Sequence, residues 1–426
     1  MLIPWLANAT PQKIYFTADA VLSPYVYVFY AAFIVAFLFT PVMKAVASYY
    51  GIVDQPDQLR KMHSKPIAYL GGVAVFLGWM AGLAMSQFVG MHAATGAGHI
   101  LINFSIVIGA SAIVILGLWD DVRHIGPWVK IGGQVLAALF LMWHGIGTDS
   151  TASLLTPVHL TLRHTLGWSF VTPGVVHVTS FIMTIFVVVA CCNATNLMDG
   201  LDGLCGGVTA IISGGFCFIA VVLAMRPFGL YFNPNQDGLR VVLALALLGA
   251  VLGFVPFNFS PASIFMGDTG SMFLGFSCAT LILLSAQNQE PKWFLASLVM
   301  FALPILDTAL AFARRMVNRR SLFAADRHHF HHQMVARGLT VKRTVLLAYG
   351  LALFFVIGGG AIAFLRTRYV VAAYLVIFGF MIVTAFKMGM VHEQPRVINR
   401  RRSDDNGPSL APLEAETVSV IEIRDE

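Results

Sequence analysis

Long runs of apolar residues limit what this chain can fold into. About eleven stretches have the roughly 20 mostly apolar residues that a helix needs to cross the hydrocarbon core of a bilayer. They lie at about 24–46, 69–90, 101–119, 128–146, 178–195, 203–225, 239–256, 270–286, 293–314, 344–366 and 369–390. Charged residues make up only 11% of the chain, against roughly 25% in soluble domains. The sequence therefore predicts an all-α, polytopic membrane helix bundle with about eleven transmembrane helices.

The positive residues indicate how such a bundle would sit in a membrane. Cytoplasmic loops of membrane proteins carry an excess of Lys and Arg. If the N-terminus is placed outside, about 20 of the 27 Lys and Arg residues fall on the inner side. The start of the chain lacks the charged region of a cleavable signal peptide, so the first helix is expected to remain as an anchor. We predict a multi-pass protein of the cell inner (plasma) membrane, with the N-terminus outside and the C-terminus cytoplasmic.

The chain divides into a membrane domain and a tail. Residues 1–393 contain every apolar stretch and no linker, so they are predicted to form a single transmembrane domain. Residues 394–426 mix charges of both signs with few aromatic residues and are predicted to be a disordered cytoplasmic tail. On the outer side, residues 159–165 and 168–172 alternate around Leu166–Gly167, which predicts a short β-hairpin.

Cysteine usage and charge argue against two other classes of site. The five cysteines form no CxxC pair and have no histidine at zinc spacing, so we interpret them as small core residues. The pI of about 9.1 reflects positive charge beside the membrane ends. No nucleic-acid-binding module is visible, so no nucleic-acid partner is expected.

Two adjacent aspartates, Asp120 and Asp121, end the third apolar stretch. Neighbouring residues on a helix point in different directions, so the two carboxylates are expected to have different roles. Burying a carboxylate beside a membrane is costly, which makes both of them candidates for catalysis. The simpler interpretation is a helix end at which Arg123 neutralises one carboxylate.

Oxygen-bearing side chains recur after the fifth stretch. Asn193, Asn196, Asp199 and Asp202 are spaced by three residues, so on a helix each would neighbour the next. Such a row suits a hard cation such as Mg²⁺, which binds few protein groups plus substrate phosphates. Gly200 and the glycines after it would let a nucleotide approach the backbone closely. The alternative is an ordinary turn rich in Asn, Asp and Gly.

Asp268 stands between two glycines ahead of the eighth stretch, in the sequence Met266-Gly267-Asp268-Thr269-Gly270. A carboxylate at a helix start is able to cap the helix. A helix start flanked by glycine is also a place where phosphate and its metal are held. Asp268 is therefore a candidate metal ligand as well as a candidate cap.

A basic loop after the ninth stretch contains Asp326-Arg327-His328-His329-Phe330-His331-His332. Four histidines in five residues would suit a zinc site. The arginines nearby would repel a cation and match phosphate oxygens, so we favour a diphosphate clamp. The predicted clamp residues are Arg327, His329, His331 and His332. Lys61, in a second basic segment, is a further candidate substrate contact, for which positive-inside charge is the simpler interpretation.

Together these blocks resemble the polyprenyl-phosphate N-acetylhexosamine-1-phosphate transferase family (glycosyltransferase family 4), over about residues 50–340. Asp120-Asp121 is similar to the family's aspartate pair, residues 196–203 to its NxxDGxDG block, and residues 265–270 to its metal-binding MGDTG block. Residues 326–332 resemble the DRxHxHH form of the undecaprenyl-phosphate GlcNAc-1-phosphate transferases. The phospho-MurNAc-pentapeptide translocases typically have three consecutive histidines and then an acidic residue, whereas Phe330 interrupts the run here and Gln333 follows it. Residues 321–325 lack the prolines that many relatives have there.

The resemblance implies a bundle of ten or eleven transmembrane helices, an active site in a cytoplasmic cleft, and a kink in the ninth helix near Pro304 and Asp307. It implies transfer of N-acetylglucosamine-1-phosphate, or a related N-acetylhexosamine-1-phosphate, from a UDP-sugar to undecaprenyl or another polyprenyl phosphate. UMP would be released, as the first membrane step of cell-envelope glycan synthesis. Mg²⁺ is the implied cofactor, with Mn²⁺ as the alternative ion.

Expected roles follow for the candidate residues. We expect Asp268, with Asn196 or Asp199, to bind the metal, and Asp120 to face the lipid phosphate as a base or an orienting group. Asp202 is expected at the uridine end of the donor. The candidate catalytic residues are Asp120, Asp121, Asp199 and Asp268, and the candidate substrate contacts are Asn193, Asn196, Asp202, Lys61, Arg327, His329, His331 and His332.

Other functions stay open at this point. A phospho-MurNAc-pentapeptide translocase is the alternative enzyme. An ion-coupled transporter is the main alternative that is not an enzyme, but transporter sites normally lie near the membrane midplane, whereas these carboxylates cluster at one interface. A purely structural membrane protein would not need glycine-flanked carboxylates. The identity of the N-acetylhexosamine, the polyprenol length and the oligomeric state, a homodimer included, are left open by the sequence.

Overall fold

The computed structural model describes residues 17–54, 66–89, 102–167, 171–225, 234–287, 290–318 and 329–366, with parts of 369–379. Helices make up most of these segments. They are α1 (Ala18–Leu22), α2 (Val26–Tyr50), α3 (Gly71–Val89), α4 (Phe104–Arg123), α5 (Pro127–Trp143), α6 (Ala152–Leu166), α7 (Pro173–Met198), α8 (Leu204–Ala224), α9 (Pro234–Asn258), α10 (Gly267–Ala286), α11 (Pro291–Met300), α12 (Ala302–Val317), α13 (Phe330–Ala336) and α14 (Val341–Ala363). The predicted tail, 394–426, lies outside the described residues.

The long apolar stretches form membrane-spanning helices. Among the described residues, 8 helices are long and apolar enough to cross a membrane, or 9 if one bent pair counts as a single span. Helix α5 is apolar but has only 17 residues, and the last predicted span, 369–390, lies largely outside the described residues. The protein is a multi-pass membrane protein, and the predicted polytopic helix bundle is confirmed. The full number of about eleven spans stays a prediction.

Helix α10 lies at the centre of the bundle, with its whole apolar length buried. Helices α3, α4 and α7 pack against it. Its first turns carry small residues, which let membrane helices approach one another closely. A Cβ atom added at Gly72 would overlap the backbone of Gly270, and one added at Gly117 would overlap the backbone of Thr269. Helices α3 and α4 therefore hold the start of α10 by backbone contact.

The five cysteines are unpaired thiols, as the sequence predicts. Four of them are buried and Cys217 is partly buried. The buried ones lie on α7, α8 and α10, where they fill space between packed helices like other small apolar residues.

Helices α11 and α12 are the bent pair, with an angle of 72° between them. The break is at Phe301, and Pro304 follows in the first turn of α12. Proline has no N–H, so Pro304 cannot donate to the carbonyl of Met300 as a regular helix would require. The kink that the resemblance implied for this span is confirmed. Asp307 lies one turn further along α12.

The predicted outer β-hairpin is wrong, because its first arm belongs to α6. Polar and apolar residues that alternate along a short segment also separate onto two sides of a helix. The helix ends at Gly167, which has a positive φ of 68° and donates its N–H to the carbonyl of Arg163. The hydroxyls of Thr156 and Thr165 bond to carbonyls of the preceding turn. Near lipid, a helix satisfies its backbone groups internally, whereas an isolated hairpin leaves edge groups unpaired.

A two-stranded antiparallel ribbon lies ahead of α3. Strand β1 (Val53–Asp54) pairs with β2 (Ile67–Ala68), and Ala68 also bridges to Ile264 in the segment before α10. Backbone bonds from Gly71 and Gly72 to the carbonyls of Phe265 and Met266 continue this contact. The ribbon and the start of α3 are therefore bonded to the segment before α10. Lys61 lies outside the described residues.

Candidate active site

Lys130 joins two of the predicted aspartates into one cluster. Asp120 lies near the end of α4, Asp268 in the first turn of α10, and Lys130 in the first turn of α5. The Lys130 ammonium lies 2.6 Å from Asp120 Oδ2 and 2.6 Å from Asp268 Oδ2. The other oxygen of Asp120 accepts the backbone N–H of Ile125 at 2.8 Å. The turn between α4 and α5 is thus part of the site.

Asp121 caps α10 from a neighbouring helix. Its Oδ1 accepts the backbone N–H of Asp268 at 2.8 Å, and its Oδ2 accepts the N–H and hydroxyl of Thr269 at 3.1 and 2.6 Å. The first N–H groups of a helix have no partner within the helix, and a negative charge there also interacts favourably with the helix dipole. The capping role that the sequence suggested for Asp268 therefore belongs to Asp121.

Helix α7 contributes two amide side chains. Asn196 donates to Ser271 Oγ at 3.1 Å and lies near enough to Asp268 to interact with its carboxylate. Asn193 donates to Gln134 Oε1 on α5 at 2.8 Å. Of the two predicted substrate contacts, Asn196 thus lies beside Asp268, whereas Asn193 links α7 to α5.

Asp199 and Asp202 lie in the turn beyond α7, which ends at Met198. The helical row predicted for the Asn and Asp residues therefore ends with Asn196. Burial, together with the neighbouring carboxylates of Asp268 and Asp121, raises the pKa of Asp199 to about 8. Asp202 Oδ2 accepts the backbone N–H of Ala262 at 2.9 Å, which ties this turn to the segment before α10.

The histidine segment is anchored to the bent span by Asp307. His329 Nδ1 lies 3.0 Å from Asp307 Oδ2, and the backbone N–H of Phe330 donates to Asp307 Oδ1 at 2.7 Å. Asp307 and His329 are both buried. Both carboxylate oxygens of Asp307 therefore form hydrogen bonds at the start of α13.

His331 faces the turn that contains Asp199. A Cβ atom added at Gly200 would overlap His331 Nε2, so the ring needs a glycine at this position. The His329 and His331 rings are nearly parallel, with centroids 5.7 Å apart, and the His332 ring lies 4.3 Å from that of His331. Burial, with His332 nearby, lowers the pKa of His331 to about 3, so this imidazole is neutral at physiological pH. The predicted clamp histidines form one packed group beside the Asp199 turn.

The oxygen-rich donor set of the cluster suits a hard divalent cation. Asp268, Asn196 and Asp199 supply carboxylate and amide oxygens, which Mg²⁺ prefers. Within the described part of the chain, no three His, Cys, Asp or Glu side chains converge closely enough to hold a metal alone. Mg²⁺ usually binds one or two carboxylates together with substrate phosphates. The residues present therefore fit a magnesium ion shared with a phosphorylated substrate.

Several residues at the site were not predicted from the sequence. The sequence pattern indicates only positive-inside charge for Lys130 and only a position near a kink for Asp307. Tyr69 was not singled out. Burial and a hydrogen bond to Asp54 raise its pKa, and the charges of Asp121 and Asp268 also contribute, which places its phenol near the cluster. The predicted contacts Lys61 and Arg327 lie outside the described residues.

Comparisons with known proteins place this site in a family. The sequence profile described as glycosyl transferase family 4 matches residues 103–286, a range that contains Asp120 through Asp268. The chain is 32% identical over 368 residues, 85% of its length, to the probable undecaprenyl-phosphate N-acetylglucosaminyl 1-phosphate transferase of Bacillus subtilis (strain 168), of which 93% is covered. The chain belongs to glycosyl transferase family 4.

Two further relatives show a similar likeness. The chain is 31% identical, over 75% of its length and 77% of the relative, to the decaprenyl-phosphate N-acetylglucosaminephosphotransferase of Mycobacterium tuberculosis (strain ATCC 25618 / H37Rv). It is 29% identical, over 75% of its length and 81% of the relative, to the undecaprenyl-phosphate alpha-N-acetylglucosaminyl 1-phosphate transferase of Haemophilus influenzae. These alignments cover about three quarters of this chain and of each relative, or more.

Proposed function

We propose that this protein transfers N-acetylglucosamine-1-phosphate, or a related N-acetylhexosamine-1-phosphate, from a UDP-sugar to undecaprenyl or another polyprenyl phosphate, with release of UMP. The names of its relatives describe N-acetylglucosaminyl-1-phosphate transfer to such lipids. The observation that carries the proposal is the cluster of Asp120, Lys130, Asp268 and Asn196 beside the histidine segment. The reaction would be the first membrane step of cell-envelope glycan synthesis.

The chemistry requires positioning and charge neutralisation. A phosphate oxygen of the lipid attacks the sugar-linked phosphorus of the UDP-sugar, and the bond from that phosphorus to the oxygen of UMP breaks. One phosphoanhydride replaces another, so no ATP is needed, and catalysis depends on aligning two negatively charged reactants. Lys130 places a positive charge between Asp120 and Asp268, where it lowers the repulsion of an incoming phosphate.

Asp120 acts in this scheme mainly as an orienting group. One of its oxygens accepts the N–H of Ile125 and the other contacts Lys130. A phosphate dianion is already a nucleophile and needs no base, so the contribution of Asp120 is to hold the Lys130 ammonium in place.

The cofactor in this proposal is Mg²⁺, with Mn²⁺ as the alternative ion. Asp268 would hold it, together with Asn196 or Asp199. Bound there, the ion would polarise the phosphoryl oxygens and stabilise the leaving UMP. The carboxamide of Asn196, fixed by Ser271, orients Asp268 for this task.

Membrane position accounts for the use of a lipid acceptor. We propose that the cluster lies at the cytoplasmic face and that the N-terminus is outside, because this orientation puts most Lys and Arg residues inside. The polyprenyl tail would then stay in the hydrocarbon while its phosphate reaches the interface. The soluble UDP-sugar would enter from the cytoplasm.

The test is a measurement of UMP release by detergent-purified protein with Mg²⁺, undecaprenyl phosphate and UDP-GlcNAc. Release should depend on the lipid, stop on addition of EDTA and recover with excess Mg²⁺. Asp268→Ala should abolish it, while Asp149→Ala, which alters an exposed aspartate near α6, should leave it unchanged. Turnover with another UDP-N-acetylhexosamine but not with UDP-GlcNAc would change only the sugar, and no UMP from any such donor would refute the proposal.

A further inference from the structure

Asp307 is connected to the histidine segment by two hydrogen bonds and not only by packing. A buried carboxylate is costly unless it is hydrogen-bonded. Asp307 meets this need with two donors from consecutive residues, the His329 ring and the Phe330 backbone. It therefore fixes both the imidazole plane and the direction in which α13 begins.

The bond to Asp307 also fixes the tautomer of His329. An ionised carboxylate can only accept hydrogen bonds, so Nδ1 of His329 must carry the proton that lies between the two groups. In the neutral ring, Nε2 is then the unprotonated nitrogen. Replacing the carboxylate by an amide would let the amide N–H₂ donate to Nδ1 instead, which would move the ring proton to Nε2.

The effect of this bond extends to the Asp199 turn. The His331 ring stacks parallel to that of His329 and overlaps the space above Gly200, where a methyl group could not fit. His331 Nε2 is buried and makes no hydrogen bond within the described part of the chain. A buried nitrogen without a hydrogen bond destabilises the fold, and this one is directed at the turn next to the proposed metal ligand.

We propose that Asp307 is a positioning residue for the UDP-sugar, which it serves by holding His329 and, through the ring stack, His331 against the Asp199 turn. This inference rests on the proposed transferase function and adds to it a residue from the bent span. Asp307 itself touches no substrate in this scheme. Loss of Asp307 should weaken binding of the UDP-sugar. It should leave the lipid acceptor site, on the Asp120 side of the cluster, nearly unchanged.

The experiment compares Asp307→Asn with wild type and with Thr308→Val. Thr308 is the next residue of α12, and its hydroxyl has no hydrogen-bond partner within the described residues, so its variant controls for a change at the same place in the bundle. KM for UDP-GlcNAc and for undecaprenyl phosphate are measured separately through UMP release. Asp307→Asn should raise KM for UDP-GlcNAc at least about tenfold, equivalent to ~1.4 kcal/mol, with less than about a threefold change in KM for the lipid. Thr308→Val should change neither.

A spectroscopic readout separates positioning from general loss of stability. In protein labelled with ¹⁵N-histidine, Asp307→Asn should move the ¹⁵N signals assigned to His329 from the Nδ1–H to the Nε2–H pattern, while Thr308→Val should not. A lower unfolding temperature with an unchanged KM for UDP-GlcNAc would overturn the proposal and leave Asp307 a purely structural residue. An equal rise in both KM values would also overturn it.

A second pair of variants tests the same bond from the other side if Asp307→Asn does not fold. His329→Asn keeps a side-chain N–H that is able to donate to Asp307, whereas His329→Phe keeps the ring size and loses both nitrogens. KM for UDP-GlcNAc should rise more in His329→Phe than in His329→Asn, and the reverse order would overturn the proposal.

If wild type turns over but the Asp307 and His329 variants keep their donor KM, only this inference fails. If wild type releases no UMP, the proposed function fails and this inference fails with it.

Discussion

Replacing Asp121 by alanine would show how much the start of α10 depends on a cap from another helix. The Asp121 carboxylate accepts two backbone N–H groups, those of Asp268 and Thr269, and the hydroxyl of Thr269. Alanine removes all three acceptor contacts and leaves the two amides without the carboxylate partner. Because Asp268 is one of the capped residues, loss of the cap should disturb the proposed metal ligand as well as the helix.

The size of the effect follows from these contacts. A hydrogen bond to a charged group contributes about 1.5–3 kcal/mol net, and the Thr269 hydroxyl can turn to another acceptor, so the two amides dominate. We expect Asp121→Ala to lower the free energy of unfolding by about 3–4 kcal/mol. Asp121→Asn keeps one carbonyl acceptor of similar shape and should lose about half as much.

The assay pairs unfolding in detergent with UMP release. Asp121→Ala, Asp121→Asn and the exposed control Asp149→Ala are unfolded by a chemical denaturant and followed by tryptophan fluorescence. Asp149→Ala should stay within about 0.5 kcal/mol of wild type. For Asp121, activity should fall in the same order as stability. If Asp121→Ala is as stable as wild type yet inactive, the capping argument is refuted and Asp121 takes a direct part in the chemistry.

Three further results are expected. Lys130→Met leaves Asp120 and Asp268 without the cation between them, so UMP release should fall at least about tenfold. Lys130→Arg should restore part of this activity. Wild-type activity in Lys130→Met would contradict the role given to the ammonium. Gly72→Ala should lower the midpoint of thermal unfolding through a loss of more than about 3 kcal/mol, because the new methyl meets backbone, while Gly214→Ala, where the methyl meets nothing, should be neutral or stabilising. Burial lowers the pKa of His331 in the folded state to about 3, from the ordinary histidine value of 6.5. The unfolded state therefore gains the proton first, and stability is lost as pH falls below about 6.5. Between pH 7 and pH 5, wild type should therefore lose about 2 kcal/mol more than His331→Phe, and equal losses in denaturant titrations at the two pH values would show that His331 is not buried in its neutral form.

The helix bundle was predictable because the length and hydropathy of apolar stretches identify membrane-spanning helices. The helix at residues 159–165 was not, since alternation over a few residues fits a strand or one side of a helix equally well. Only the surroundings decide between the two. Next to lipid, the helix is favoured because its backbone bonds are internal.

The sequence indicated the acidic residues of the candidate site, but it did not indicate the residues that contact them. Asp120 and Asp268 were candidates because placing a carboxylate near the membrane costs free energy. Lys130 and Asp307 did not stand out, because a lysine near a helix end and an aspartate in a kinked span both have ordinary explanations. Their roles come from contacts between residues far apart in the chain, such as Lys130 with Asp268 and Asp307 with His329, which no local pattern contains.

The complete enclosure of α10 has a consequence for how the protein is made. A helix surrounded by other helices gains little from lipid, and its association depends on packing with small residues. The polar start of α10, Gly267-Asp268-Thr269, is poorly suited to lie alone in hydrocarbon. Helices α3, α4 and α7 precede α10 in the chain and form the space it occupies. We therefore expect α10 to settle during biosynthesis against helices that are already in the membrane. The candidate active site would then be assembled in the same step as the centre of the bundle.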